Sequence, residues 1–258
     1  MTPSSSSLTE VTFRAMLSLG HPMLFSTLVL IEPIIAAATI KGMGPGMTNM
    51  TLRRKTEWPS RQAAERALSK AFRSWDSRVL ERFNSYALYP YPNPKIRKNE
   101  TPTRLTTGRF QELGGIVRPA FIYDGNLNQK NIPWVEEALV VDNLIGFIPC
   151  STVYVCGGLS PSADTEIRKD WIERTGTGKH MGKPGRRRRV EAKILPGVGH
   201  FVPMEAPAAC ADAVATWVDE EVGEWEKEEE KLRDWRNLSG EMKEKLANTW
   251  MANLRAKF

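Results

Sequence analysis

An α/β domain built on a parallel sheet is predicted by two features of this chain. Three short apolar runs, Thr27–Ile31, Thr152–Cys156 and Val190–Leu195, are separated by stretches with helical spacing. That is the rhythm of strands joined by helical crossovers. The third run also continues in a telling way, through VEAKILPGVGHFVPMEAP from Val190 to Pro207. Val190, Ala192 and Ile194 alternate as a strand, Pro196 and Gly197 break it, and His200 sits on a turn between Gly199 and Phe201. A helix is expected to open near Glu205, Ala206 and Pro207, because a proline in the first turn has no N–H to leave unpaired. A strand, a glycine turn with one imidazole and then a helix puts a general base at the carboxyl edge of a parallel sheet.

The 258 residues are ample for a core, and 41% hydrophobic content excludes global disorder. The net charge of +6 is patchy: Arg186–Arg189 is basic, Asp219–Glu230 acidic. With no zinc-finger spacing or RNA-binding motif, nucleic acid is not an expected partner. Cys150, Cys156 and Cys210 match no disulfide framework or metal pattern, so reduced thiols in an intracellular, cytoplasmic setting are expected, with no metal or cofactor. The start, MTPSSSSLTE, lacks the charged-then-apolar order of a secretory signal. Leu24–Ile40 is short for a membrane span and carries Glu32 and Pro33 near its middle. A carboxylate there costs about 2.5–3.5 kcal/mol to insert, so a buried strand followed by a helix is expected.

Taken in order, residues 1–10 form a polar, disordered lead. Val11–Gly20 has the spacing of a helix ending at its glycine. Thr27–Ile31 does not alternate and is expected to be buried on both faces. Lys41–Asn49 is a loop. From Trp58 the pattern is helical, with Ala64, Leu68, Ala71, Phe72 and Trp75 on one face. Pro90–Pro102 stops any helix, and residues 103–133 carry no clear pattern. Trp134–Ile148 reads as a helix, Thr152–Cys156 as a buried strand ending in Gly157–Gly158, and Ile167–Arg174 as a short helix. Thr175–Arg189 is a flexible loop. After the third strand come helices over Ala206–Val218, Glu221–Trp235 and Glu241–Leu254, anchored by Trp217, Trp225, Trp235 and Trp250.

Three segments carry a resemblance to a known family. HPMLFSTLVLIEPII resembles a helix end and sixth strand of α/β-hydrolase-fold proteins, TVYVCGGLSPSA their seventh strand and its turn, and LPGVGHFVPMEAP their eighth strand and histidine loop. The stretch from RRKTEWPSRQAAERAL to WDSRVLERF resembles the helical cap of a fungal subgroup described as toxin-biosynthesis or peroxisomal hydrolase-like proteins, as does the tail WVDEEVGEWEKEEEKLRDW. The resemblance implies a partial α/β-hydrolase fold: C-terminal parallel strands, a cap or lid insertion over residues 50–133, and long charged C-terminal helices over 219–258. It further implies hydrolysis of an ester or lactone-type bond in a small apolar metabolite by a serine, histidine and acid.

The resemblance assigns His200 the role of general base. The turn after the seventh strand offers no carboxylate before Asp164, whereas some family members place the acid after the sixth strand, where this chain has Glu32. Glu32 is therefore the expected orienting acid and Asp164 the other candidate. The serine elbow G-x-S-x-G is not found. Leu19–Met23 imitates it with Pro22 in the serine's place, too close to the strand for the helix an elbow needs, and Ser4–Ser7 lack its glycines. The chain is thus expected to begin after the nucleophile and to be inactive or weakly active. The alternatives are a binding or interaction module, self-associating through an exposed sheet edge, or a fragment of an incomplete gene model. Thr175–His180 lacks the glycine and hydroxyl of a phosphate loop, and KPGRRRR reads as a solvated loop. Arg255–Phe258 resembles a peroxisomal Ser-Lys-Leu ending, which adds the peroxisome as a second expected location.

Overall fold

A computed structural model describes residues 14–22, 24–33, 35, 49–91, 101–113, 137–160, 165–177 and 189–244. The expectations placed on Ser4–Ser7, Asp164, Trp250, the Arg186–Arg188 run and nearly all of the 41–49 loop lie outside them. By compactness the chain divides into two units, Met1–Ala215 and Thr216–Phe258.

The first unit holds the parallel sheet. Helix α1 (residues 14–20) leads to strand β1 (Thr27–Ile31), with β5 (Ser151–Gly157) and β6 (Val190–Leu195) later in the chain. The order is β1-β5-β6, both pairings parallel, with Thr27 opposite Ser151 and Thr152 opposite Val190. All seven residues of the central strand β5 are buried, as its unbroken apolar run requires. In β1 only Leu28 and Leu30 are buried, and Thr27, Val29 and Ile31 are half-buried. The expectation of burial on both faces is corrected: at the margin of the described sheet, β1 is fully covered on one face alone.

Between β1 and β5 lie α2 (residues 49–53), β2 (Glu57–Trp58), α3 (Arg61–Ala71), α4 (Ser77–Tyr86), β3 (Leu88–Pro90), β4 (Thr103–Leu105) and α5 (Arg109–Leu113). Trp58 does not start a helix. It lies in β2, and α3 begins at Arg61 because the Ser60 hydroxyl accepts the Ala63 N–H. The helical run also breaks before Asp76, which caps α4 by accepting the Arg78 N–H. Ala64 and Leu68 are buried as expected, but Ala71 at the end of α3 is exposed. Strands β2, β4 and β3 form an antiparallel sheet, in that order, and Trp58, Leu68, Leu88 and Leu105 share a core with α3. Sequence periodicity missed this sheet because strands of two and three residues are too short to alternate.

Helix α6 (Glu137–Leu144) and a 3₁₀ turn (Ile145–Phe147) precede β5, and α7 (Thr165–Arg174) follows it. Arg174 ties the two helices together, bonding Asp142 at 2.5 Å and Asp170 at 2.6 Å. Beneath it Tyr154 of β5 stacks on Trp171 at 5.3 Å, and its hydroxyl meets Thr175 Oγ1 at 2.7 Å. Burial pushes the Tyr154 phenol well above its ordinary pKa. Cys150, Cys156 and Cys210 are buried and joined in no disulfide, and burial likewise raises the pKa of Cys210.

After β6 come the single-turn α8 (Val202–Glu205), α9 (Pro207–Asn237) and α10 (Gly240–Glu244). Pro207 opens α9 as expected. The two helices predicted over 206–235 are one continuous helix: Gly223 inside it costs about 1 kcal/mol, too little to end it. Trp217 is buried, but Trp225 and Trp235 stand about half exposed, so they are not the apolar anchors expected of them. No helix among the described residues is long and apolar enough to cross a membrane.

Candidate active site

The parallel register carries β1 and β5 to the same end of the sheet, where each stops and turns. Past Ile31, Glu32 keeps one further ladder bond, its N–H to the Val155 carbonyl at 2.9 Å. Its backbone then adopts φ +49°, a left-handed conformation costing a residue with a Cβ about 1–2 kcal/mol. The result is a buried carboxylate folded back across the end of β5, with the side chain 5% exposed. Its Oε1 accepts the Gly157 N–H at 2.5 Å, and its Oε2 accepts the Ser160 hydroxyl at 2.6 Å. The same Oε2 lies 2.8 Å from His200 Nδ1. A carboxylate oxygen accepts and a ring N–H donates, so Nδ1 is the nitrogen turned to Glu32 and Nε2 is turned away from it. Among the described residues, the hydrogen bonds of His200 are made through Nδ1.

The loop that presents His200 is held from both sides. Gly158 N–H donates to Leu195 O at 2.8 Å and Leu159 N–H to Val198 O at 2.9 Å, tying it to the turn after β5. Gly157 lies so close to it that a Cβ there would stand 2.1 Å from Gly199 O and 2.5 Å from Val198 O. On the far side Gly199 N–H donates to Glu205 Oε2 at 2.8 Å, so the carboxylate one helical turn ahead clamps the loop. Gly197 turns the chain at φ +74°, which glycine adopts freely.

The insertion reaches this loop as well. Asp76 N–H, at the start of α4, donates to Met204 O at 2.8 Å, and Trp75 packs on Phe201 with ring centroids 5.9 Å apart. Trp75 in turn stacks on Phe72 at 4.3 Å and meets Phe83 edge-on at 5.3 Å. Phe201 is 48% exposed beside the imidazole, an apolar wall against which an uncharged group can lie. Among the described residues no cluster of His, Cys, Asp and Glu is placed to hold a metal ion.

Glu32 and His200, 168 positions apart, are thus brought together, and Asp164 lies outside the described residues. The sequence reading passed over Ser160, Glu205 and Gly157. Ser160 had one available signal: it stands in the turn where a carboxylate was sought, and it supplies a donor to the carboxylate that comes from β1 instead.

No family model matches the chain. Abhydrolase domain-containing protein AFT2-1 of Alternaria alternata is 34% identical over 245 residues, a match spanning 94% of this chain and 93% of that protein. The chain belongs to the α/β-hydrolase superfamily. This hydrolase-fold chain is similar also to abhydrolase domain-containing protein AKT2 of the same fungus, 34% identical over 251 residues, 94% of this chain and 93% of that one. Type I acyl-CoA thioesterase mpaH of Penicillium roqueforti is 29% identical over 250 residues, covering 83% of this chain but 57% of the thioesterase. Among solved structures, peroxisomal α/β-hydrolase Lpx1 of Saccharomyces cerevisiae superposes with a TM-score of 0.56 at 15% identity, over 81% of this chain and 50% of Lpx1. E-2-(acetamidomethylene)succinate hydrolase gives a TM-score of 0.53 at 11% identity, over 82% of this chain and 64% of that enzyme. At such identities the likeness is one of fold. The α/β-hydrolase chain spans about half of Lpx1 and somewhat more of mpaH, while the two Alternaria proteins match it nearly end to end.

Proposed function

We propose that this chain carries the acid–base part of an acyl-hydrolase site, with His200 as general base and Glu32 as the acid that orients it. The observation behind this reading is the 2.8 Å contact from His200 Nδ1 to a buried carboxylate, which fixes the tautomer whose Nε2 can take a proton. The substrate class is an ester, lactone or thioester of a small apolar acyl group. The aromatic wall at Phe201 favours an apolar group, and the thioester extends the reading to the chemistry named for mpaH. The site of action is the cytoplasm or the peroxisome.

Acyl transfer by this machinery needs a hydroxyl at Nε2. Among the described residues, the one serine hydroxyl bonded near His200, that of Ser160, lies 3.5 Å from Nδ1 and donates to Glu32. Loss of the serine from a comparable triad costs on the order of 10⁶ in turnover, so the chain by itself is a poor hydrolase. A serine-reactive phosphonate is expected to leave it unlabelled in intact-mass analysis. A version extended upstream to restore a G-x-S-x-G elbow is expected to be labelled. Labelling of the unextended chain, abolished by His200→Ala, would place a nucleophile inside it and overturn the missing-serine reading.

One observation favours a second reading, a non-catalytic interaction module. Among the described residues β1 pairs with β5 alone, and an open strand margin is a template for pairing with another chain. Sedimentation is then expected to show a concentration-dependent dimer; a folded monomer at all concentrations would sink that account.

A further inference from the structure

The geometry points to Ser160 as a positioning residue for Glu32, and through it for the proton on His200; this rests on the acid–base reading of the pair. Ser160 is 5% exposed, and its N–H is fixed to Gly157 O at 3.1 Å, so its side chain projects from a closed turn. Its hydroxyl reaches Glu32 Oε2 at 2.6 Å, the short distance of a charge-assisted O–H···O⁻ bond. The Gly157 N–H holds the other oxygen at 2.5 Å. Two donors from one turn therefore pin both ends of the carboxylate. Such pinning matters because the acid springs from a left-handed residue one position past the end of β1.

A further bond to the carboxylate, at the same Oε2, comes from the imidazole. With the Ser160 proton committed to Glu32, the serine oxygen at 3.5 Å offers Nδ1 no competing donor, and the Nδ1–H tautomer is selected. Ser160 thus keeps Glu32 aimed at Nδ1. It touches no reacting atom itself.

The chain has three histidines, so the ring nitrogens of His200 are assignable by ¹⁵N NMR on the full protein. The ratio of Nδ1–H to Nε2–H neutral tautomers is expected to fall roughly tenfold in Ser160→Ala, the factor one charge-assisted hydrogen bond carries. In Ser160→Cys, whose thiol is a weak donor, an intermediate ratio is expected. A ratio within about twofold of the parent in either folded variant overturns the proposal, and if the alanine variant does not fold, the cysteine variant decides. Failure of the underlying reading looks different: the parent protein itself would then show no excess of the Nδ1–H form, and Glu32→Gln would not change it.

Discussion

Gly157→Ala is expected to destabilise the protein by about 3 kcal/mol and to break the His200–Glu32 contact at the same time. Alanine is the smallest residue with a Cβ, yet here that atom would meet Gly199 O, Val198 O and Gly199 C at 2.1, 2.5 and 2.9 Å. All three are backbone atoms, so no side chain can rotate away. Either β5 or the histidine loop must move, and each is fixed by its own bonds: β5 in the middle of the parallel ladder, the loop through Leu159 N–H to Val198 O and Gly199 N–H to Glu205. The movement also strips the Gly157 N–H from Glu32 Oε1. Chemical denaturation measures the first effect, and the ¹⁵N tautomer ratio of His200 the second. A variant that melts with the parent and keeps its tautomer would show that this close approach is not maintained in solution.

Trp171→Ala is expected to cost about 3–5 kcal/mol, the range for emptying a large aromatic from a packed core. Trp171 is 1% exposed, stacks on Tyr154 of the central strand, and shares a cluster with Leu28, Leu30, Ile145 and Ile148. Its loss removes the surface against which β5 is buried on that side, while the Thr175 hydroxyl keeps its bond to the Trp171 backbone carbonyl at 2.6 Å. Urea unfolding followed by circular dichroism should show a lower midpoint with an unchanged slope. A loss under 1 kcal/mol would mean that the site repacks around the gap.

The parts of this fold that were legible in the sequence are those where burial leaves a long mark. Seven consecutive buried residues make β5 visible, and the proline-glycine break followed by His200 marks the loop after β6. Glu32 stood out as a carboxylate beside a proline in an apolar run, and its place as the acid came from the resemblance to α/β-hydrolase-fold proteins. The small sheet of β2, β3 and β4 was not legible, since two or three residues cannot show a period. The continuity of α9 was hidden because Gly223 and dense charge resemble a helix boundary, while the energetic penalty of that glycine is small. Ser160 and Glu205 were hidden for another reason. A serine in a turn and a glutamate in a first helical turn look the same whether or not their oxygens face a functional group, and only the fold decides what they face.

The separation of the partners at the site has a consequence for how the protein folds. Glu32 meets Gly157, Ser160 and His200 across 125, 128 and 168 positions of chain. Contacts that distant close late, because the entropy of a long loop must be overcome before they return any energy. A nascent or partly folded chain can form α9 and the turn around His200 from neighbouring residues, but it has no carboxylate beside the imidazole. The acid–base pair comes into being only when β1, β5 and β6 have docked in register, so the charge needed to orient the base is withheld until folding is complete.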